Sequence, residues 1–186
     1  NATGAADLGL AAGSVQIDYT FTLVNDTSAA DLDGFLWDVT ITNLGLVDLD
    51  LVFYQYLDLD LNETATNDVA SASATRITVS DGTAPVIFDW QAANGGAADH
   101  FQVQTYPGLR NQLDGMGAAS DLSDTPASFG PGDFSAAYQY NISLAAGASY
   151  TLTAGQVVVP EPTPALLTLL GLAGLAISSG RVREPS

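Results

Sequence analysis

The sequence predicts an all-β domain of about eight or nine strands, arranged as an antiparallel β-sandwich or a jelly-roll-like fold, with a hydrophobic helix at the C-terminal end. In several short segments, β-branched and aromatic residues alternate with polar ones, which is typical of half-buried strands. Clusters of Gly, Asn, Asp and Pro separate these segments. Strand-like segments do not alternate with helix-like ones, so the pattern does not indicate a parallel sheet.

The composition agrees with this fold class and excludes several functions. The 186 residues include no cysteine, which excludes disulfides and thiolate metal sites. Four basic residues against 21 acidic ones give a net charge of -17. Nucleic acid is therefore excluded as a partner, because its phosphates are bound by Lys and Arg. Most of the acidic residues are Asp, which favours turns, rather than Glu, which favours helices.

The N-terminal half contains the longest alternating segments. Residues 1–13 are small and polar, and they indicate a flexible leader or an exchangeable segment. Residues 15–23 and 35–41 each predict a strand with one buried and one exposed face. The apolar run 46–61 is long for one strand, since strands average about five or six residues. We therefore expect a bend or bulge near Tyr54, or two strands.

The second half of the folded domain, which we place at 14–159, carries shorter strands. Asp81-Gly82 is typical of a hairpin turn. Residues 109–122 have a weak helical pattern, and residues 125–133 indicate a loop rich in Pro and Gly. Further strands are predicted at 75–80, 85–90, 100–105, 136–144, 150–154 and 156–159.

The composition changes sharply in the last part of the chain, residues 160–186. Alternate prolines in the Pro-Glu-Pro-Thr-Pro segment predict a stiff, extended spacer. Residues 165–177 are apolar without a break and predict a helix, and Arg181 and Arg183 form a short basic end. We interpret this part of the chain as a sorting, anchoring or assembly tail.

The order of Val159, Pro160, Glu161 and Pro162, an apolar helix and a basic end resembles the PEP-CTERM sorting signal of exported bacterial proteins. The resemblance implies export to the outer cell surface or extracellular space. It also implies exosortase as a transient partner that recognises Pro160, Glu161 and Pro162, and an association with exopolysaccharide and biofilm matrix. Residues 165–177 are shorter than the roughly 20 residues of a membrane-spanning helix. Three fates stay open for the tail: a removed signal, a membrane anchor, or a helix kept and buried against neighbouring subunits.

One acidic segment is a candidate calcium site. Asp58, Asp60, Asn62 and Glu63 place oxygen atoms close together along the chain, and calcium takes six to eight oxygen ligands. The twelfth position of such a loop, which is acidic in an EF-hand, is Val69. The alternative interpretation is that Asp58 and Asp60 form the solvent face of a strand whose leucines face the core. The residue pattern favours this alternative, and we expect no other cofactor.

Other chemistry has weaker support in the sequence. Tyr54, Tyr56 and Trp90 are candidates for a sugar-binding platform, although such aromatic residues more often belong to a sandwich core. His100 is the single histidine, and without cysteine it cannot anchor a typical zinc site. A Ser-His-Asp arrangement is conceivable, but the chain has no Gly-x-Ser-x-Gly motif. The more common interpretation of His100 is a structural residue at a strand edge.

These observations favour a non-enzymatic structural protein of the cell surface or extracellular matrix. Self-association is expected, with the protein as the repeating subunit of a filament or sheath and the C-terminal helix buried in the assembly. A carbohydrate-binding module of the exopolysaccharide matrix is the first alternative. A secreted hydrolase with two converging carboxylates or a Ser–His contact is the second, less favoured alternative.

Overall fold

The computed structural model describes residues 2–7, 15–26, 32–61, 65–81, 86–115 and 121–160. The predicted C-terminal helix lies outside the described residues, as do Glu161 and Pro162 of the sorting motif, the basic end with Arg181 and Arg183, and the candidate calcium ligands Asn62 and Glu63. Val159 and Pro160 belong to the last described strand.

The all-β prediction is confirmed, because strands form most of the described chain and the named strands pair in antiparallel fashion. One α-helix and a short 3-10 helix, Ala93–Gly95, interrupt the described strands, and the α-helix overlaps the segment 109–122 in which a helical pattern is predicted. The elements are β1 (Ala2–Asp7), β2 (Val15–Asp26), β3 (Leu32–Asn43), β4 (Leu49–Asp58), β5 (Asp68–Ala72), β6 (Arg76–Asp81), β7 (Val86–Gln91), β8 (His100–Thr105), α1 (Gly108–Gly115), β9 (Ser128–Gly132), β10 (Phe134–Leu144) and β11 (Ser149–Pro160).

The strands form two sheets of very different width. The large sheet has eight strands in the order β1-β2-β3-β11-β7-β6-β5-β9, and the small sheet has three in the order β4-β10-β8. The inner faces of both sheets contribute to one hydrophobic core, so the arrangement is a sandwich. Because three strands cannot cover eight, part of the inner face of the large sheet lies beyond the small sheet.

The centre of the core joins the middle strands of the two sheets. Trp90 of β7 and Tyr138 of β10 are both fully buried, and their rings meet edge to face with centroids 4.7 Å apart. Ile41 and Leu152 extend the core along β3 and β11 and are also fully buried. The burial of these four side chains follows from the period-two alternation of their strands, which puts every second side chain on the inner face.

The expectation of a bend or a second strand in 46–61 is wrong. β4 pairs with β10 without a register shift from Leu49 to Asp58. The run is apolar on both faces because each face of β4 packs against a different cluster. The inner face packs on the core, whereas Tyr54 and Tyr56 on the outer face pack in a second cluster with α1.

The sequence pattern does not predict two of the observed strands, because their residues are small or typical of turns. β5 has the sequence Asp-Val-Ala-Ser-Ala, and β9, Ser-Phe-Gly-Pro-Gly, falls inside the predicted loop. β9 pairs with β5, and Gly130 has a φ of 105° in this pairing. A Cβ at Gly130 would collide with the backbone of Asp68, so the position requires glycine. In addition, β1 lies within the predicted leader 1–13 and pairs with β2.

Candidate functional site

An apolar groove lies where the large sheet extends beyond the small one. In the small sheet β4 is an edge strand with β10 as its neighbour, whereas the large sheet continues outward through β3, β2 and β1. The inner-face side chains of β2 therefore have no complete cover. Tyr19 is 37% exposed, Phe21 41% and Leu23 85%. An inner face that a sandwich normally buries is thus open to solvent along this part of the molecule.

The groove is continuous along β4. Three adjoining depressions, with volumes of about 310, 200 and 380 Å³, all include Phe53 in their walls. One end lies against Val15 and Leu49, and the other lies against Leu57 and Gln156. The middle is lined by Ile17, Tyr19, Phe21, Val39 and Phe53.

The outer edge of β4 borders this groove. Among the described residues, β4 forms its sheet pairs with β10 alone, so no described strand pairs with its other edge. Open edges of this kind accept additional segments of chain, and proteins commonly protect them with charge. Asp50 on β4 already accepts a hydrogen bond from Ser143 at 2.5 Å. The edge of β4 and the apolar groove beside it therefore form one surface of the kind that binds an apolar partner.

The aromatic residues predicted as a sugar platform do not share a surface. Trp90 is fully buried between the sheets, so it cannot stack on a sugar, and the platform prediction is wrong for this residue. Tyr54 and Tyr56 lie on the opposite face of β4, partly covered by Leu109 and Leu113 of the helix segment. The sandwich-core alternative is correct for Trp90 because its alternation places it inward.

A single glutamine connects the two buried tryptophans. In the orientation that satisfies its neighbours, the Gln55 side-chain oxygen accepts hydrogen bonds from the indole N–H groups of Trp90 (2.9 Å) and Trp37 (3.0 Å). Gln55 lies on β4, and the two tryptophans lie on β7 and β3 of the facing sheet. Sequence reasoning missed this residue because a lone glutamine in an apolar strand has no recognisable local pattern.

His100 occupies the strand-edge position that the sequence predicts. It begins β8, and its Nδ1 lies 2.8 Å from Oδ2 of Asp124. This hydrogen bond raises the pKa of His100 above its usual value. Among the described residues no serine is hydrogen-bonded to the ring, so the histidine and aspartate are not joined to a nucleophile there.

The candidate calcium ligands Asp58 and Asp60 are both exposed, with Asp58 at the end of β4 and Asp60 after it. Leu61 is buried, and Leu57 and Leu59 pack against the core. In the part of the chain that the structure describes, no three His, Asp or Glu side chains form a ready metal site. The side chains that sequence reasoning missed are Asp68 and Asp81, which are buried at the same end of the sandwich.

No helix among the described residues is both long enough and apolar enough to span a membrane.

Comparison with protein-family models and with curated proteins finds no match. Among solved structures, the fold is similar to one described as "Putative kojibiose phosphorylase from human microbiome". The TM-score is 0.52 at 11% sequence identity, and the similarity covers 97% of this chain and 21% of that chain. The chain thus spans about one fifth of the length of that protein, and the similarity concerns the fold alone.

Proposed function

We propose that this chain is a non-enzymatic structural protein, exported to the cell surface or extracellular matrix, that self-associates through the groove between β4 and β2. The observation that carries the proposal is the open inner face of the large sheet, where Tyr19, Phe21 and Leu23 remain exposed beside the edge of β4 that pairs with no strand among the described residues. Exposed apolar surfaces of this kind mark interaction sites.

The occupant that we propose is the apolar segment 165–177 of a neighbouring copy. This segment contains no charged residue, and the groove is lined mainly by aromatic and aliphatic side chains. The chain carries a net charge of -17, so an anionic surface is a poor competing partner. Burial of apolar area favours association by about 25 cal/mol for each Å² removed from water.

The dimensions of the segment agree with those of the groove. Residues 165–177 as a helix measure about 20 Å in length and about 10 Å in diameter. The stretch of β2 from Val15 to Leu23 is about 26 Å long, and the facing layers of a sandwich lie about 10 Å apart. A helix would therefore occupy the layer that the small sheet leaves empty.

The proline-rich spacer, residues 160–164, favours docking of the apolar segment in a neighbouring copy over docking in its own chain. β11 ends at Pro160, and residues 160–164 contain a proline at every second position. Each proline fixes its own φ and holds the preceding residue extended. The spacer should therefore carry the apolar segment about 16 Å away from the end of β11 instead of reversing into the groove of its own sandwich.

Cysteine cross-linking tests this arrangement without background, because the chain has no cysteine of its own. In the full chain, Tyr19→Cys combined with Leu172→Cys should form disulfide-linked dimers and larger species under mild oxidation. The matched control is Leu36→Cys with Leu172→Cys, since Leu36 is exposed on the other face of the same sheet. The control should stay monomeric on a non-reducing gel.

Two results would overturn the proposal. Equal cross-linking of the control would show random contact, and a fast-migrating monomer of the test variant would show that the segment docks in its own chain. A second comparison uses Phe21→Ser and Tyr150→Ser, since both aromatic rings are 41% exposed and only Phe21 lines the groove. Sedimentation velocity should show association weakened at least about tenfold, or 1.4 kcal/mol, in Phe21→Ser alone.

A further inference from the structure

Two aspartates face each other inside one end of the sandwich. Asp68 begins β5, Asp81 ends β6, and the two are direct partners in the antiparallel register. They share the inner face with Ala70 and Val79, which belong to the core. Asp68 is 0% exposed and Asp81 is 5% exposed. Side chains directly opposite each other in such a pair have Cβ atoms about 5 Å apart.

The carboxylate of Asp68 lacks the partners that a buried charge requires. Neither of its oxygens accepts a hydrogen bond of normal geometry from the described residues, although the backbone amide of Leu61 is near enough to lower the pKa in part. No basic side chain among the described residues forms an ion pair with it. A charged group in this state is costly unless it is neutralised by a proton or a cation.

The groups around Asp68 carry further negative charge and do not compensate the charge of its carboxylate. Burial, then Asp81, Asp60 and Asp133, raise the pKa of Asp68 to about 6. Asp60 follows β4, and Asp133 connects β9 to β10, so the carboxylates come from four separate parts of the chain. Asp81 accepts a hydrogen bond from Asn67 at 2.8 Å, which orients one of its oxygens.

We propose that this end of the sandwich binds one Ca²⁺ ion, with Asp68 and Asp81 as direct ligands and Asp60 and Asp133 at its rim. The described side chains do not form a group of three converging ligands. Backbone carbonyls and water therefore complete the coordination, as is common for calcium. Mg²⁺ fits less well, because it demands octahedral geometry at shorter distances.

The ion would connect elements that otherwise repel one another. β5 and β6 belong to the large sheet, Asp60 extends from the small sheet, and Asp133 joins the two sheets through β9 and β10. Calcium at this point would cross-link both layers at one end of the sandwich. The site shares Asp60 with the segment that the sequence suggested, and it does not depend on self-association.

The test is calcium binding and thermal unfolding of the full chain at neutral pH after removal of metals with a chelator. Ca²⁺ should raise the Tm by at least about 3 °C over Mg²⁺ at the same ionic strength. Isothermal titration calorimetry should show one tight site per chain. Asp68→Asn should lose the Tm shift and weaken binding at least tenfold, without lowering the Tm in chelator.

Asp114→Asn is the matched control, since it removes one charge from the exposed face of α1, where Asp114 only approaches Arg110 at 3.7 Å. It should keep the full calcium response. Asp81→Asn serves as a second variant if Asp68→Asn does not fold. Equal shifts with Ca²⁺ and Mg²⁺, or a response retained by both variants, would overturn the site.

A proton could neutralise Asp68 instead of a metal. In that case stability in chelator would fall as pH rises from about 4 to 6, because the raised pKa means that the folded state binds the proton more tightly than the unfolded state. Added calcium would leave that pH profile unchanged at every pH. This result would also overturn the calcium site, whereas suppression of the pH dependence by calcium would support it.

Discussion

His100 and Asp124 organise a segment that the sequence left irregular. Asp124 accepts a hydrogen bond from the His100 ring at 2.8 Å and another from the backbone N–H of Phe101 at 3.0 Å. Its own backbone N–H donates to the carbonyl of Phe101 at 2.9 Å, and its φ is 57°. One aspartate in a rarely used conformation thus fixes the segment around residues 121–127 onto the edge strand β8.

This contact makes the protonation of the histidine measurable. The pKa of His100 should lie above 6.5, because of the Asp124 hydrogen bond and the nearby charges of Asp121 and Asp99. Asp124→Asn should lower it in an NMR titration of the single imidazole, whereas Asp114→Asn should not. The pair should contribute less than about 1 kcal/mol, fully present below pH 6.5 and lost as pH rises through the raised pKa. An unchanged pKa in Asp124→Asn would contradict this account.

For single residues, the sequence predicts exposure or burial only where the residue belongs to a repeated pattern. Asp58 and Asp60 alternate with leucines, and their exposure was predictable from that alternation. Asp68 precedes a short run of small residues, so nothing local distinguishes its buried position from an exposed turn. Its burial follows from the tertiary packing of β5 between β6 and β9, and β9 is remote in sequence.

At the scale of elements, the contact between the sheets depends on Gln55 as well as on apolar packing. Its oxygen accepts from two indoles, of which Trp90 is fully buried and Trp37 is 4% exposed. A buried donor without a partner costs about 1–3 kcal/mol. Removing one glutamine therefore leaves two donors unsatisfied in the middle of the sandwich.

Gln55→Leu should lower the free energy of unfolding by about 2–5 kcal/mol in urea denaturation, because the leucine cannot accept from either indole. Gln91→Leu is the control, since Gln91 is exposed at the end of β7, and its change should stay within about 0.5 kcal/mol. Equal losses in the two variants would show that the indole hydrogen bonds do not stabilise the fold.

The strands themselves could be predicted to different degrees. β2, β3, β8 and β10 carry clear alternation and lie where the sequence places them. β5 and β9 do not, because Ala, Ser, Gly and Pro have low strand preference and acquire their extended form from tertiary pairing. β4 carries apolar residues on both faces because each face packs against a different cluster, so the run 46–61 has no alternation that marks the ends of the strand.

At the scale of the whole molecule, the unequal widths of the two sheets leave an apolar groove on a strongly acidic protein. Like charges on two copies oppose association, and the apolar contact favours it. The screening length falls from about 30 Å at 0.01 M salt to about 8 Å at 0.15 M. Salt therefore weakens the repulsion and leaves the apolar attraction in place.

Self-association should accordingly increase with NaCl over this range, measured as the weight-average sedimentation coefficient of the full chain. Phe21→Ser should remove most of the increase, and Tyr150→Ser should keep it. Dissociation on adding salt would instead indicate an interface built on opposite charges, and it would contradict an apolar groove as the contact.

The sequence by itself determined the fold class, most strand positions and the change in composition at Pro160. These properties follow from local periodicity and composition, which each short segment carries within itself. Only the tertiary structure decided which edge of the small sheet pairs with no further strand among the described residues, and that Asp68 is buried opposite Asp81. These outcomes depend on pairing between distant strands and on the relative widths of two sheets, which no local pattern records.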